Sequence, residues 1–281
     1  MIFKFSAPAT DTYLAAEFAV WIAEEHDRLQ GAVVITPGSN EDGRTEIFNL
    51  DWQLFARSNR VALIGCKFID IPHPINFIEK YIRAARGTGD ALIMALNAFA
   101  ELSRHPELAT VPLLLAGMSA GGEFNYEFVA WKPERVLAFV VNKGGTYYSA
   151  LLKPAARQVP GLFFVGERDL IFRTAILKGL FAVNRRAGAL WALAPEPEIA
   201  HEVGSSLTMT RIFFGDIIQL WSAARQMHRS AIFQEQNGYV CDLETHEIVR
   251  ANRTAPTDRL TSWVPSKAVA EVWQQVVACQ L

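Results

Sequence analysis

An α/β architecture built on a mostly parallel sheet follows from three features of this 281-residue sequence. Short apolar runs recur at intervals, the stretches between them carry helical spacing, and 51% of the residues are hydrophobic, enough to bury one large core. The apolarity of the runs is continuous rather than alternating, which marks strands covered on both faces.

Two leading strands are expected in FKFSAP and AAEFAVWIA, the second because Phe18, Val20 and Ile22 alternate despite helix-forming neighbours. Six core strands follow: GAVVIT (31–36), RVALIG (60–65), VPLLLAG (111–117), RVLAFVV (135–141), GLFFVG (161–166) and ALWALA (189–194). Helical spacing fills 46–58, 75–104, 120–131, 170–187 and 205–226, and strand, helix, strand in repetition implies right-handed crossovers. After about residue 230 the pattern changes. NGYVCDLETHEIV reads as a hairpin and WVPSKAVAEVWQQVV as an amphipathic helix beginning near Ser266. The organisation expected is a single domain over 1–281, with a sheet core over 1–229 and a C-terminal appendage over 230–281.

The charge balance, 27 Lys plus Arg against 29 Asp plus Glu, offers no electrostatic case for nucleic acid or an anionic membrane. Cys66, Cys241 and Cys279 match neither a disulfide framework nor a metal-ligand pattern, so they read as buried or free thiols. Lys4, Asp11 and Glu17 interrupt the N-terminal stretch, which lacks the form of a signal peptide, and cytoplasmic residence is the expectation. LTMTRIFFGDIIQLW carries Arg211 and Asp216, so no membrane span is expected there.

Gly117-Met118-Ser119-Ala120-Gly121 fits G-x-S-x-G between a predicted strand and a predicted helix, the context in which a strained turn lifts a serine hydroxyl clear of a sheet. Glycines two positions either side keep bulk away from the neighbouring strand and helix. A serine hydroxyl needs a base, and the base needs an orienting acid. Among the six histidines, His26, His105 and His228 sit in charged, helix-like surroundings and read as solvated, while His246 lies in the late hairpin. His73 follows the second core strand but precedes the serine. His201, in APEPEIAHEVGSS, follows the last core strand, at the edge where open α/β sheets bind ligands. Asp169, in GLFFVGERDLIF, lies just past the preceding strand, with Glu167 as the nearby competitor. The order Ser119, Asp169, His201 is the one this architecture uses for nucleophilic catalysis.

GMSAGG, GERD and the loop histidine make the chain resemble the α/β-hydrolases over roughly residues 31–226. It is nearest in flavour to compact serine esterases, including polyhydroxybutyrate-depolymerase-like and feruloyl-esterase-like proteins. The resemblance implies an oxyanion hole of two backbone N–H groups, one from Ala120 and the other from Ser39 or Asn40 in ITPGSNEDGR, where Pro37 replaces the family's usual histidine. PGSNEDG by itself reads as an ordinary polar turn.

A serine at the elbow speaks against dehalogenase or epoxide-hydrolase chemistry, which resembling families run with aspartate, and against dienelactone hydrolysis, run with cysteine. Acyl transfer to water remains, with no cofactor or metal. The family's cap usually enters after the sixth strand, yet NKGGTYYSALLKPAARQVP leaves no room for one. An open cleft for small-molecule or polymeric esters with bulky acyl or aryl groups is the expectation, with Tyr147 and Tyr148 at its rim. Packing beneath the appendage is an equal reading for both tyrosines, and Phe124, Tyr126, Phe128 and Trp131 at helical spacing read as core. A serine peptidase or amidase of the same fold, or a catalytically silent binding protein, are the alternatives.

Overall fold

The computed structural model describes residues 1–74, 78–227, 233–252 and 259–279, which form two compact units. The first comprises Met1–Leu137 with Thr146–Tyr148, the second Ala138–Gly145 with Ser149–Leu281.

In the first unit the two expected leading strands form as β1 (Ile2–Ala7) and β2 (Tyr13–Trp21), which pair antiparallel. They are followed by β3 (Gly31–Thr36), α1 (Leu50–Asn59), β4 (Val61–Asp70), α2 (Thr88–Ser103), β5 (Leu113–Gly117) and α3 (Ala120–Trp131). The strand order is β1-β2-β4-β3-β5, and β3 is parallel to both its neighbours. That register sets Thr36, the last residue of β3, beside Gly117, the last of β5. Every residue of β3 is buried, the sign of a strand covered on both faces.

Two expected helices are shorter than the apolar spacing suggests. Residues 43–48 wind as a 3₁₀ turn, and α1 starts afresh because the Asn49 side chain accepts the Asp51 and Trp52 N–H groups at 3.0 and 3.3 Å. In the 75–104 stretch, 3₁₀ turns at 80–82 and 84–86 precede Gly87, whose φ of 120° stops helix propagation until Thr88; positions 75–77 lie outside the described residues.

Strand β6 (Val136–Asn142) begins at the end of the first unit and runs on in the second. It leads to α4 (Pro154–Arg157), β7 (Gly161–Gly166), α5 (Ile171–Arg186), β8 (Trp191–Glu196) and α6 (Ser206–Gln226). The order β6-β7-β8 is parallel throughout, so the ends of these strands, Asn142, Gly166 and Glu196, open towards one edge. Between β6 and β7, over the described residues 143–160, the only regular element is the four-residue α4.

The C-terminal hairpin forms as β9 (Tyr239–Asp242) and β10 (Ile248–Arg250), and a further strand, β11 (Thr261–Val264), pairs with the other side of β9. Four residues carry too little periodicity to announce β11. Helix α7 (Lys267–Val277) is capped by the Ser266 hydroxyl, which accepts the Val269 N–H at 3.2 Å. Both elements dock on β8: the Trp273 indole donates to the Leu193 carbonyl at 2.6 Å, and the Ser262 hydroxyl bridges the Leu193 N–H and C=O. Among the described residues no helix is long and apolar enough to cross a membrane.

Candidate active site

In the first unit, the turn from β5 into α3 holds Ser119 at φ 53° and ψ −126°. L-residues avoid that region, and holding one there costs about 1 to 3 kcal/mol. The neighbours over-determine it. A Cβ on Gly121 would run into the Thr36 and Pro37 carbonyl oxygens, and one on Gly117 into the Thr36 hydroxyl and the Gly121 backbone. The Thr36 hydroxyl lies 3.1 Å from the Ala116 and Gly121 carbonyls and 3.0 Å from Asn125 Oδ1, tying strand exit and helix start to the end of β3. Thr36 carried no sequence signal, because its partners lie at least 80 positions away. Ala120 opens α3, so its N–H lies in the first turn, where amides have no intrahelical acceptor and favour negative charge.

The loop leaving β3 also lies in this unit. Its Gly38 N–H donates to Glu41 at 3.1 Å, and its Asn40 N–H to the Tyr81 hydroxyl at 3.3 Å. Asn40 has a φ of 56°, and its side-chain oxygen accepts the Asp70 N–H at 2.7 Å. The Ser39 hydroxyl donates to Glu79. The Asn40 N–H is thus engaged in holding the loop, and the Asn40 side-chain amide donates to the Ser39 hydroxyl at 3.1 Å.

Asp169 and His201 lie in the second unit, 32 positions apart in sequence, and come together at the strand ends. His201 Nδ1 is 2.8 Å from Asp169 Oδ2, the geometry of a ring N–H donated to a carboxylate, which leaves Nε2 for another partner. The second carboxylate oxygen, Oδ1, accepts the Leu170 N–H at 2.7 Å and the Arg173 guanidinium at 3.3 Å. The Asp169 side chain is only 3% exposed, and burial alone would raise its pKa. Hydrogen bonds from His201 and the Leu170 N–H, with the charges of His201 and Arg173, outweigh that and hold the carboxyl below its ordinary value. Glu167 is exposed, and its N–H donates to the Glu196 carbonyl at 3.1 Å.

The remaining histidines divide differently from expectation. His105 is buried, with Nδ1 3.0 Å from Glu107, because the turn after α2 folds it inward onto that carboxylate. It is therefore not the solvated residue its charged surroundings suggest. His26 lies 3.0 Å from the Arg57 carbonyl, and His246 packs edge-on against Trp273. His228 falls outside the described residues. His73 forms a second carboxylate pair, with Nε2 2.7 Å from Asp70 at the end of β4; Asp70 gave no signal in the sequence.

Tyr148 is 45% exposed, with the Arg83 guanidinium 4.4 Å from its ring centroid. Tyr147 does not offer a hydroxyl tip to solvent: its ring packs against Tyr126 at 4.9 Å and its hydroxyl is buried. Glu127 accepts the Tyr148 N–H at 2.7 Å and Glu123 the Thr146 N–H at 2.9 Å, so α3 docks this segment. Phe124, Tyr126 and Phe128 are fully buried, as their spacing predicts.

No protein-family model and no curated protein sequence matches the chain. Solved structures do. Fluorophosphonate-binding serine hydrolase F (FphF) of Staphylococcus aureus, in a substrate-bound form, aligns over 78% of this chain and 98% of its own, at 10% identity and a TM-score of 0.53. S-formylglutathione hydrolase (FrmB) of the same organism gives the same coverage at 9% identity and a TM-score of 0.53. Poly(aspartic acid) hydrolase-1 from Sphingomonas sp. KT-1 aligns over 76% of this chain and 98% of its own, at 15% identity and a TM-score of 0.54. The chain has the α/β-hydrolase fold.

Proposed function

We propose that the protein is a serine hydrolase that cleaves carboxylic esters through an acyl-enzyme, with Ser119 as nucleophile, His201 as general base and acid, and Asp169 as the residue orienting the imidazole. The observation that carries this reading is the left-handed backbone of Ser119, a strained conformation locked by Thr36, Gly117 and Gly121. Strain held this firmly at a half-buried strand end has a use in presenting a hydroxyl, and none in packing.

In this reading the Ser119 hydroxyl attacks the ester carbonyl carbon and passes its proton to His201 Nε2, since Nδ1 is engaged by Asp169. The carbonyl oxygen, now negative, accepts the N–H groups of Ala120 and Ser39. Ser39 is preferred over Asn40, whose N–H already serves Tyr81. The imidazolium returns its proton to the departing alkoxide, leaving an acyl-serine that water hydrolyses by the same relay. The short β6–β7 connection, with Tyr148 exposed on it, supports an open cleft for bulky acyl or aryl esters. We read the chain as a single catalytic domain with residues 230–281 as its appendage, a reading supported by the docking of β11 and α7 on β8.

A fluorophosphonate probe and a panel of p-nitrophenyl esters and anilides test this. Wild-type protein should label stoichiometrically and hydrolyse esters in preference to anilides. Ser119→Ala should lose labelling and about four to six orders of magnitude in kcat. Octanoyl and aryl esters should keep or exceed the kcat/KM of acetyl, and Tyr148→Ala should change their ranking. Labelling that survives in Ser119→Ala would refute the nucleophile, faster anilide turnover would favour an amidase, and no labelling of the wild type a silent fold.

A further inference from the structure

We infer that the buried Lys143–Glu196 ion pair is a positioning device for His201, in which Glu196, held by Lys143, anchors the imidazole loop through the Ser205 N–H. The inference rests on the reading of His201 as the catalytic base.

The loop carrying His201 spans nine residues between the last residue of β8, Glu196, and the first of α6, Ser206, and most of it is exposed. Such a segment has little packing to hold an imidazole still. Its fastening comes from below. Glu196 Oε1 accepts the Ser205 N–H at 2.7 Å, while Oε2 receives the Lys143 ammonium. Lys143 also donates to Asn142 Oδ1 at 2.9 Å, and the Asn142 amide donates to the Ser206 hydroxyl at 2.8 Å and towards the Val203 carbonyl at 3.4 Å. At the other end of the loop, the Ile199 carbonyl accepts the Arg168 N–H at 2.9 Å. His201 is thus suspended between two tied ends, with Asp169 as its third point.

The backbone is shaped around this clasp. Gly204 has a φ of 56°, and a Cβ there would strike the Glu196 carboxylate, so glycine lets the loop close onto its anchor. A Cβ on Gly166 would meet the Ala200 and Ile199 carbonyl oxygens and lie 2.9 Å from Lys143 Cε. Lys143 itself has a φ of 56°, a conformation that a side chain without a specific task there would avoid.

Stability alone does not account for such a pair. Both side chains are almost wholly withdrawn from solvent, at 0% and 2% exposure, and apolar residues of similar volume generally serve a core as well or better. Burial accordingly presses the Lys143 pKa down, against the opposing pull of Glu196. What an apolar pair could not supply is the acceptor for Ser205, beside a carboxylate–imidazole pair that has to stay aligned.

Two uncharged double variants separate these roles. Lys143→Met with Glu196→Met removes the pair and the Ser205 acceptor, whereas Lys143→Met with Glu196→Gln removes the charges but keeps an acceptor oxygen. For each, thermal unfolding, kcat and KM on a p-nitrophenyl ester, and the downfield proton resonance of His201 Nδ1–H are measured. The Met/Met variant should fold, lose about 10- to 100-fold in kcat with KM changed by less than about threefold, and lose or shift the resonance. The Met/Gln variant should recover kcat to within about threefold of wild type and regain the resonance. If Met/Met fails to fold, Glu196→Gln alone, whose one oxygen must serve both the ammonium and the Ser205 N–H, should still lower kcat and perturb the resonance. Wild-type kcat and resonance in Met/Met, equal losses in both double variants, or an unperturbed Glu196→Gln would each overturn the proposal. His201→Ala is measured alongside: undiminished turnover there would sink the assignment of the base itself, independently of Lys143 and Glu196.

Discussion

Burial and hydrogen bonding pull the Asp169 carboxyl in opposite directions, and the outcome can be read in how stability depends on pH. Burial favours the neutral acid, but the N–H donors of His201 and Leu170, with the Arg173 guanidinium, favour the carboxylate and hold its pKa below the ordinary 3.8. A carboxyl depressed in the folded state stabilises the fold above its unfolded pKa, and that stability is lost as pH falls through the folded value. The urea midpoint of the wild type should therefore drop on acidification below about pH 4, and that of Asp169→Asn should drop less steeply. The same substitution should reduce kcat by about four orders of magnitude, because an amide holds the imidazole in the wrong tautomer. An Asp169→Asn protein with wild-type acid sensitivity would show that the carboxylate is not held in this way.

At the scale of the element, the join of β5 to α3 depends on close backbone approach. Thr36 ends β3 in register with Gly117, and its hydroxyl reaches the carbonyls on both sides of the turn. Gly121 lies where any side chain would collide with the Thr36 and Pro37 carbonyl oxygens, both of them backbone and unable to yield cheaply. Gly121→Ala should therefore destabilise the protein by about 1 to 3 kcal/mol, well beyond the gain in helix propensity that alanine brings elsewhere. Gly179, on α5, has nothing within 4 Å of an added Cβ, so Gly179→Ala serves as the control and should be neutral or stabilising. Chemical denaturation of the two variants makes the comparison. Equal effects would mean that the turn has slack the packing does not suggest.

For the molecule as a whole, the three cysteines report on how the core is divided. Cys66 on β4 and Cys241 on β9 are buried, and burial pushes the Cys241 thiol up to about 12 and Cys66 further still, whereas Cys279 is exposed. A thiol reagent at neutral pH should label Cys279 rapidly in the native protein and all three after unfolding, because the thiolate is the reactive form. Rapid native labelling of Cys241 would mean that the strands of the C-terminal segment open readily.

Much of this architecture was legible because it is local. The runs at 31–36 and 161–166 coincide with β3 and β7, and the helix after the elbow with α3, since strand and helix periodicity is set within a few residues. The elbow was legible for the same reason: two glycines and a serine within five positions state a steric requirement of their own backbone. Chain order also brought Asp169 and His201 together, because right-handed crossovers bring successive parallel strand ends to one edge. What only the tertiary structure decided is which polar groups meet. The docking of Glu107 on the Leu29 N–H, the capture of the Asn40 N–H by Tyr81, and the pairing of Lys143 with Glu196 across 53 positions follow from strand register and loop closure. Propensity is set by a residue's immediate neighbours, but the charge and hydrogen-bond state of a buried side chain is set by groups that come near it only when the chain folds.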